Sequence, residues 1–240
     1  MKTYFITKQD FINFLKEISS CFITFYLSES QTQFNWKKDQ RRILYWQQYN
    51  GDFQGLVTGG VRAQDPLKQF IFESKEVVSE NFVGLAKPSK PLLLVGAKNC
   101  DLTGLDITDF VFMQGDFKDP FYIGKRQDIF IIASDCTNPL DTCFCLALDI
   151  KPYPEKNYDL GISDIGGGYI VEVVSEAAEK YISKFRDKFV SATTAQLQKR
   201  NTLRDAAISD VDINIAKHKV PAKPKLKDIM KKGFESEIWK

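Results

Sequence analysis

A single histidine, His218, and no C-x-x-C pair occur in the 240 residues. The first scarcity leaves little room for a Ser–His or Cys–His catalytic pair, or for mixed Cys/His zinc ligation. The second removes the spacing that ordinary zinc sites show. G-x-G-x-x-G, G-x-x-x-x-G-K-[ST] and G-x-S-x-G are also missing, so the dinucleotide fingerprint, the phosphate loop and the nucleophile elbow all drop out. No apolar run reaches the roughly 18 residues that crossing a bilayer requires. Charge of either sign is not in excess: 33 basic residues face 31 acidic ones, for a net charge of +2. That balance argues against nucleic acid or an anionic membrane as the main partner. The N-terminal MKTYFITKQDF lacks the apolar core and small-residue cleavage site of a signal peptide, which predicts a cytoplasmic location. There, clustered cysteines bind metal or do chemistry more often than they form disulfides.

The chain has the ordinary apolar and charged fractions of a globular protein, and its length suffices for a substantial core. Residues 8–18 place Phe11, Ile12, Phe14, Leu15 and Ile18 at helical spacing. Segments 21–28, 31–38 and 41–49 read as short strands rich in aromatic and β-branched residues. Segment 51–66 reads as loop, 67–78 is ambiguous between helix and strand, and KPSKP (87–91) is a rigid turn. PLLLVGA (91–97) and DIFIIAS (128–134) are continuous apolar runs of the kind found in buried strands. Between them DLTGLDITDFVF (101–112) reads as a helix with Asp101 as its N-cap. The three elements predict a right-handed βαβ unit over 91–134. Residues 158–174 read as two strands joined around Gly166–Gly168, and 175–219 as helices. The expected fold is α/β to α+β, a mixed sheet with a β-rich N-terminal part and a helical C-terminal part. One domain is expected over 1–216, with 1–86 as a possible β-rich lobe and a lysine-rich linker over 217–240.

Three of the five cysteines crowd into DCTNPLDTCFC (135–145). Cys100 follows the first apolar strand and Cys136 the second. If those strands are parallel, both cysteines leave the sheet at its carboxyl edge, where ligands collect in open α/β folds. Cys143 and Cys145 would then be brought to the same place. The spacing, C-x35-C-x6-C-x-C, leaves three alternatives open: an iron–sulfur cluster, zinc, or no metal. An extended Cys143–Cys145 pair, with its sulfurs spread along one face, favours the wider cluster. Cys21 reads as a small buried core residue. Phe144, between two candidate ligands, could shield the site from water. Backbone N–H groups of the loop could donate to the sulfurs, and Asp101 or Asp135 close by would lower a cluster's potential.

The blocks GVRAQDPLKQFIFESKEVV, LLLVGAKNCDLTGLDITDFVF, DPFYIGKR, DCTNPLDTCFC, YDLGISDIGGGYIVEV and FESEIW occur in that order. Together they resemble the iron–sulfur electron-transfer (β) subunit of soluble [NiFe] hydrogenases and sulfhydrogenases, and equally the corresponding iron–sulfur subunit of anaerobic sulfite reductase. The likeness covers about residues 55–240. It implies that Cys100, Cys136, Cys143 and Cys145 ligate one [4Fe-4S] cluster. It also implies a non-catalytic role, passing electrons between a flavin-bearing and a catalytic subunit, the latter a hydrogenase or a sulfur/sulfite reductase. Members of that family continue into a ferredoxin-like module carrying two further clusters. No such cysteine runs occur here, and segment 217–240 is expected to be the connector towards that module. Two other readings stand beside this one: a zinc-stabilised assembly scaffold, and a cysteine redox sensor, which would need accessible thiols of low pKa.

Overall fold

The computed structural model describes residues 2–29, 43–72 and 90–233. The strand expected over 31–38, most of the turn at 87–91 and the end of segment 67–78 lie outside the described residues. The strands are β1 (Lys2–Thr7), β2 (Ile23–Glu29), β3 (Leu44–Gln48), β4 (Leu92–Ala97), β5 (Ile129–Ser134), β6 (Leu160–Asp164), β7 (Gly168–Val173) and β8 (Val190–Ser191). They form one mixed sheet in the order β3-β2-β4-β5-β6-β7-β1-β8. The central run β2-β4-β5-β6 is parallel, and the pairings flanking it are antiparallel. The fold is thus the α/β to α+β arrangement expected. The described N-terminal strands do not stand apart as a lobe. β1 and β2 sit in opposite halves of the same sheet, with β3 at one edge.

The helices are α1 (Lys8–Ser19), α2 (Asn99–Met113), α3 (Pro120–Gln127), α4 (Glu176–Ser183), α5 (Thr194–His218) and α6 (Lys223–Gly233). α1 forms as its spacing predicts: Phe11, Phe14, Leu15 and Ile18 are buried on one stripe, and the Thr7 hydroxyl accepts from the Asp10 N–H at 3.1 Å. Period-two alternation sends Leu93, Val95, Phe130 and Ile132 to the face covered by α1 and α4. Leu94, Ile129, Ile131 and Ala133 go to the opposite face, against α2 and Tyr122 of α3. Both faces of the parallel strands are therefore dry, which is why these strands read as unbroken apolar runs. α5 starts with a reciprocal capping box, the Gln196 N–H donating to Thr193 Oγ1 at 3.3 Å and the Thr193 N–H to Gln196 Oε1 at 2.9 Å. Segment 217–240 contains more than a linker, since α6 is helical over Lys223–Gly233.

α2 opens earlier than expected. Lys98 occupies the N-cap position without a side-chain capping bond, and Asp101 lies inside the first turn. The cause is in β4. Gly96 adopts φ +103°, and the register against β5 shifts between Val95 and Ala97. This bulge turns the chain so that Lys98 points inward and the helix can start at Asn99. A Cβ on Gly96 would lie 2.9 Å from Leu27 Cβ, in a backbone region that side chains disfavour. Gly96→Ala should therefore destabilise the protein by more than about 1 kcal/mol in urea denaturation.

Candidate functional site

Parallel pairing of β4 with β5 places both carboxyl ends on the same edge. Beyond β4, in the first turn of α2, stands Cys100; one residue after Asp135, which follows β5, stands Cys136. The Cys136 N–H donates to Pro152 O at 2.8 Å, and the Thr137 and Asn138 N–H groups donate to Gly59 O at 3.1 and 3.2 Å. These bonds turn the loop back over the sheet edge. It then delivers Cys143, whose N–H donates to Leu140 O at 2.9 Å, and Cys145, which opens a 3-10 helix over Cys145–Leu148. All four residues line one cavity of about 580 Å³, together with Arg62, Lys98, Phe144 and Val211. None of the four thiols is in a disulfide.

The thiols share one electrostatic environment. Burial pushes Cys100 up to about 12, although it faces the open cavity, with Asp101 and Cys136 adding to the rise. Cys136 is pushed up to about 11, again chiefly by burial, against the opposing pull of Lys98 and with Cys143 and Cys145 adding to it. Cys143 and Cys145 are raised by desolvation too. A backbone hydrogen bond from Leu140 counters the rise at Cys143, and ones from Leu146 and Cys145 do so at Cys145. Among the described residues, no three His, Cys, Asp or Glu side chains are gathered as a single-ion site. The thiols are instead distributed around the cavity wall.

Charged neighbours complete the wall. Lys98 is 1% exposed, and its Nζ donates to Thr58 O at 2.8 Å, Ser134 Oγ at 2.7 Å and Asp135 O at 3.0 Å. Burial pulls it down to about 8, while Cys136, Asp135 and Cys100 work the other way. Asp101 lies 3.4 Å from Arg62 through Oδ1, and its buried Oδ2 has no hydrogen-bond partner. Burial pushes it up to about 6, partly offset by Arg62. Asp135 is held by a forked bond from Arg204 of α5, at 2.9 Å from Nε and 3.1 Å from Nη2. The same Nη2 reaches Glu172 at 2.8 Å and Ser163 at 3.2 Å, and Arg200 binds Glu172 at 2.7 Å. The Arg204 guanidinium also stacks 4.5 Å over the Tyr153 ring. Further along the same helix, Asn214 donates to Leu140 O at 2.8 Å. α5 thus holds the cysteine loop at its start and at its middle.

The structure brings together all four candidate ligands. It changes three expectations around them and pairs one of their neighbours. Asp101 is not a helix cap but an internal ion-pair partner of Arg62. Asp135 salt-bridges to Arg204. Cys143 and Cys145 are not extended, because Phe144 has φ −140° and ψ 25° and the loop curls into the 3-10 turn. Cys21 lies exposed in the turn after α1, not buried in β2. Phe144 is 44% exposed at the cavity's rim. Sequence reasoning missed Lys98 and Arg204. The lysine inside the apolar block LLLVGAKNC was the one available signal for the first, and nothing local marks the second.

The buried network predicts a large effect. Arg204→Met leaves Asp135 and Glu172 facing each other without their shared cation and should cost about 3–5 kcal/mol in urea denaturation. Arg204→Lys, which offers no fork, should recover only part of that loss.

No family model, curated protein or solved structure matches this chain.

Proposed function

We propose that this protein is an electron-transfer subunit in which Cys100, Cys136, Cys143 and Cys145 ligate one [4Fe-4S] cluster. In this reading it relays electrons between a flavin-bearing and a catalytic subunit, the latter a hydrogenase or a sulfur/sulfite reductase. The observation that carries the reading is the meeting of four cysteines, two of them 36 positions apart in sequence, on the wall of a single cavity. The donor set fits. Thiolates are the ligands that such clusters take, and four cysteines line this one cavity. Backbone hydrogen bonds counter the rise of the Cys143 and Cys145 thiols, the kind of contact by which a protein tunes cluster potential. When bound, the cluster supplies one-electron storage. The chain's own residues hold the thiols, limit water through Leu140, Phe144 and Val211, and fix the loop through α5.

The thiols also set how the site loads. Groups pushed to about 11 and about 12 carry their protons at neutral pH in the metal-free protein. Each thiolate formed on loading therefore releases a proton, and acidification favours the empty state. Lowering the pH from about 8 to about 6 should speed loss of iron to a chelator.

Anaerobically purified protein should contain about four iron and four sulfide atoms per chain, with visible absorbance that bleaches on reduction. Cys100→Ser and Cys136→Ser should abolish both. One zinc per chain and no sulfide would replace this reading with that of a zinc-stabilised assembly scaffold. Thiols that alkylate at once in the purified protein, without metal, would point to the redox sensor instead.

A further inference from the structure

Lys98 is among the largest fully buried side chains of the protein. Its charge state follows from its hydrogen bonds. Thr58 O and Asp135 O can only accept. The Ser134 hydroxyl spends its hydrogen on Gly96 O at 3.2 Å, so it too accepts from Lys98. Three acceptors around Nζ match the three N–H bonds of the ammonium form. Yet among the described residues no carboxylate pairs with Lys98. Both oxygens of Asp135 are engaged by Arg204, and Asp101 turns one oxygen to Arg62. A fully buried cation with neutral partners alone is costly unless an anion stands nearby. Lys98 itself lines the cysteine cavity beside Cys136 and Cys100, where Asp135 and Asp101 also act on its charge.

We infer that the Lys98 ammonium is the buried counter-charge of an anionic, thiolate-bound metal centre in this cavity, strengthening its retention and raising its reduction potential. The inference rests on the functional reading given above. Four thiolates leave a [4Fe-4S] centre with net negative charge, and one-electron reduction makes it more negative still. A fixed positive charge at the wall stabilises the reduced form more than the oxidised one, so it lifts the potential. Lys98 is in this sense a positioning and charge-compensating residue, not a ligand. Its three bonds also join the 51–66 loop, the end of β5 and the start of α2. A role in structure alone is therefore the alternative to be distinguished.

The test compares wild-type protein with Lys98→Met and Lys98→Gln, all purified anaerobically. Lys98→Gln removes the charge and one of the three donors but keeps two N–H groups, so it remains informative if Lys98→Met fails to fold. Iron and sulfide are assayed, the midpoint is read by redox titration with electron paramagnetic resonance, and urea denaturation is run on metal-free and loaded samples. The expected result is a midpoint shifted to lower potential in both variants and iron lost to a chelator about tenfold faster. The loss of stability should also be greater in loaded than in metal-free protein. A wild-type midpoint in an iron-replete variant overturns the inference. So does equal destabilisation of loaded and metal-free forms, or failure of both variants to fold, either of which makes Lys98 a structural staple. Wild-type protein lacking iron and sulfide rejects the functional reading itself, which is a different outcome from these.

Discussion

Neighbouring parallel strands must finish on the same side of their sheet, and that geometric necessity underlies everything at the cysteine site. β4 and β5 run in register through Leu92–Val95 and Ile129–Ile132, packed on both faces. Because neither strand can slide without exposing its apolar residues, the points where they release the chain are fixed relative to each other. Cys100 and Cys136 inherit that precision. Cys143 and Cys145 do not belong to the sheet, and their placement depends on polar ties: Gly59 O, Pro152 O and the two contacts from α5. The site thus combines a rigid half made by strand packing with a half made by hydrogen bonds.

The polar ties carry a cost that apolar packing does not. Arg204, Arg200, Asp135 and Glu172 are all strongly buried. Desolvation of such a group is offset only when every charge is paired and every lone pair engaged. The forked geometry of Arg204, its stacking on Tyr153 and its second arm to Ser163 meet that condition closely. The network therefore acts as a specificity device. It accepts one position of α5 on the sheet and, through Asn214, one position of the loop.

Much of this could be read from residues. LLLVGA and IFIIAS announce buried parallel strands because both faces of each are covered. The glycine turn between β6 and β7 follows from three consecutive glycines between two apolar stretches, and the spacing of Phe11, Phe14, Leu15 and Ile18 gives α1 directly. The shared edge for Cys100 and Cys136 follows from the βαβ order alone. What escaped had no local signature. KTYFIT is short, and its role as β1 is decided by partners at Gly168–Val173 and Val190–Ser191. Arg204 meets Asp135 across 69 positions, and no periodicity reports that. The inward turn of Lys98 depends on the positive φ of Gly96, so a residue type that normally marks the surface became part of the interior. The curl at Phe144 reversed a geometric expectation about Cys143 and Cys145, because a loop tied at Leu140 has no reason to stay extended.

The location of β1 has a consequence for how the chain comes into being. It precedes the other described strands in the chain, yet it lies between β7 and β8, and one edge of β2 likewise waits for β4. An emerging polypeptide must therefore carry unpaired, aromatic-rich strand edges until most of its length has left the ribosome. Such delayed closure slows folding and leaves sticky edges open until their partners arrive.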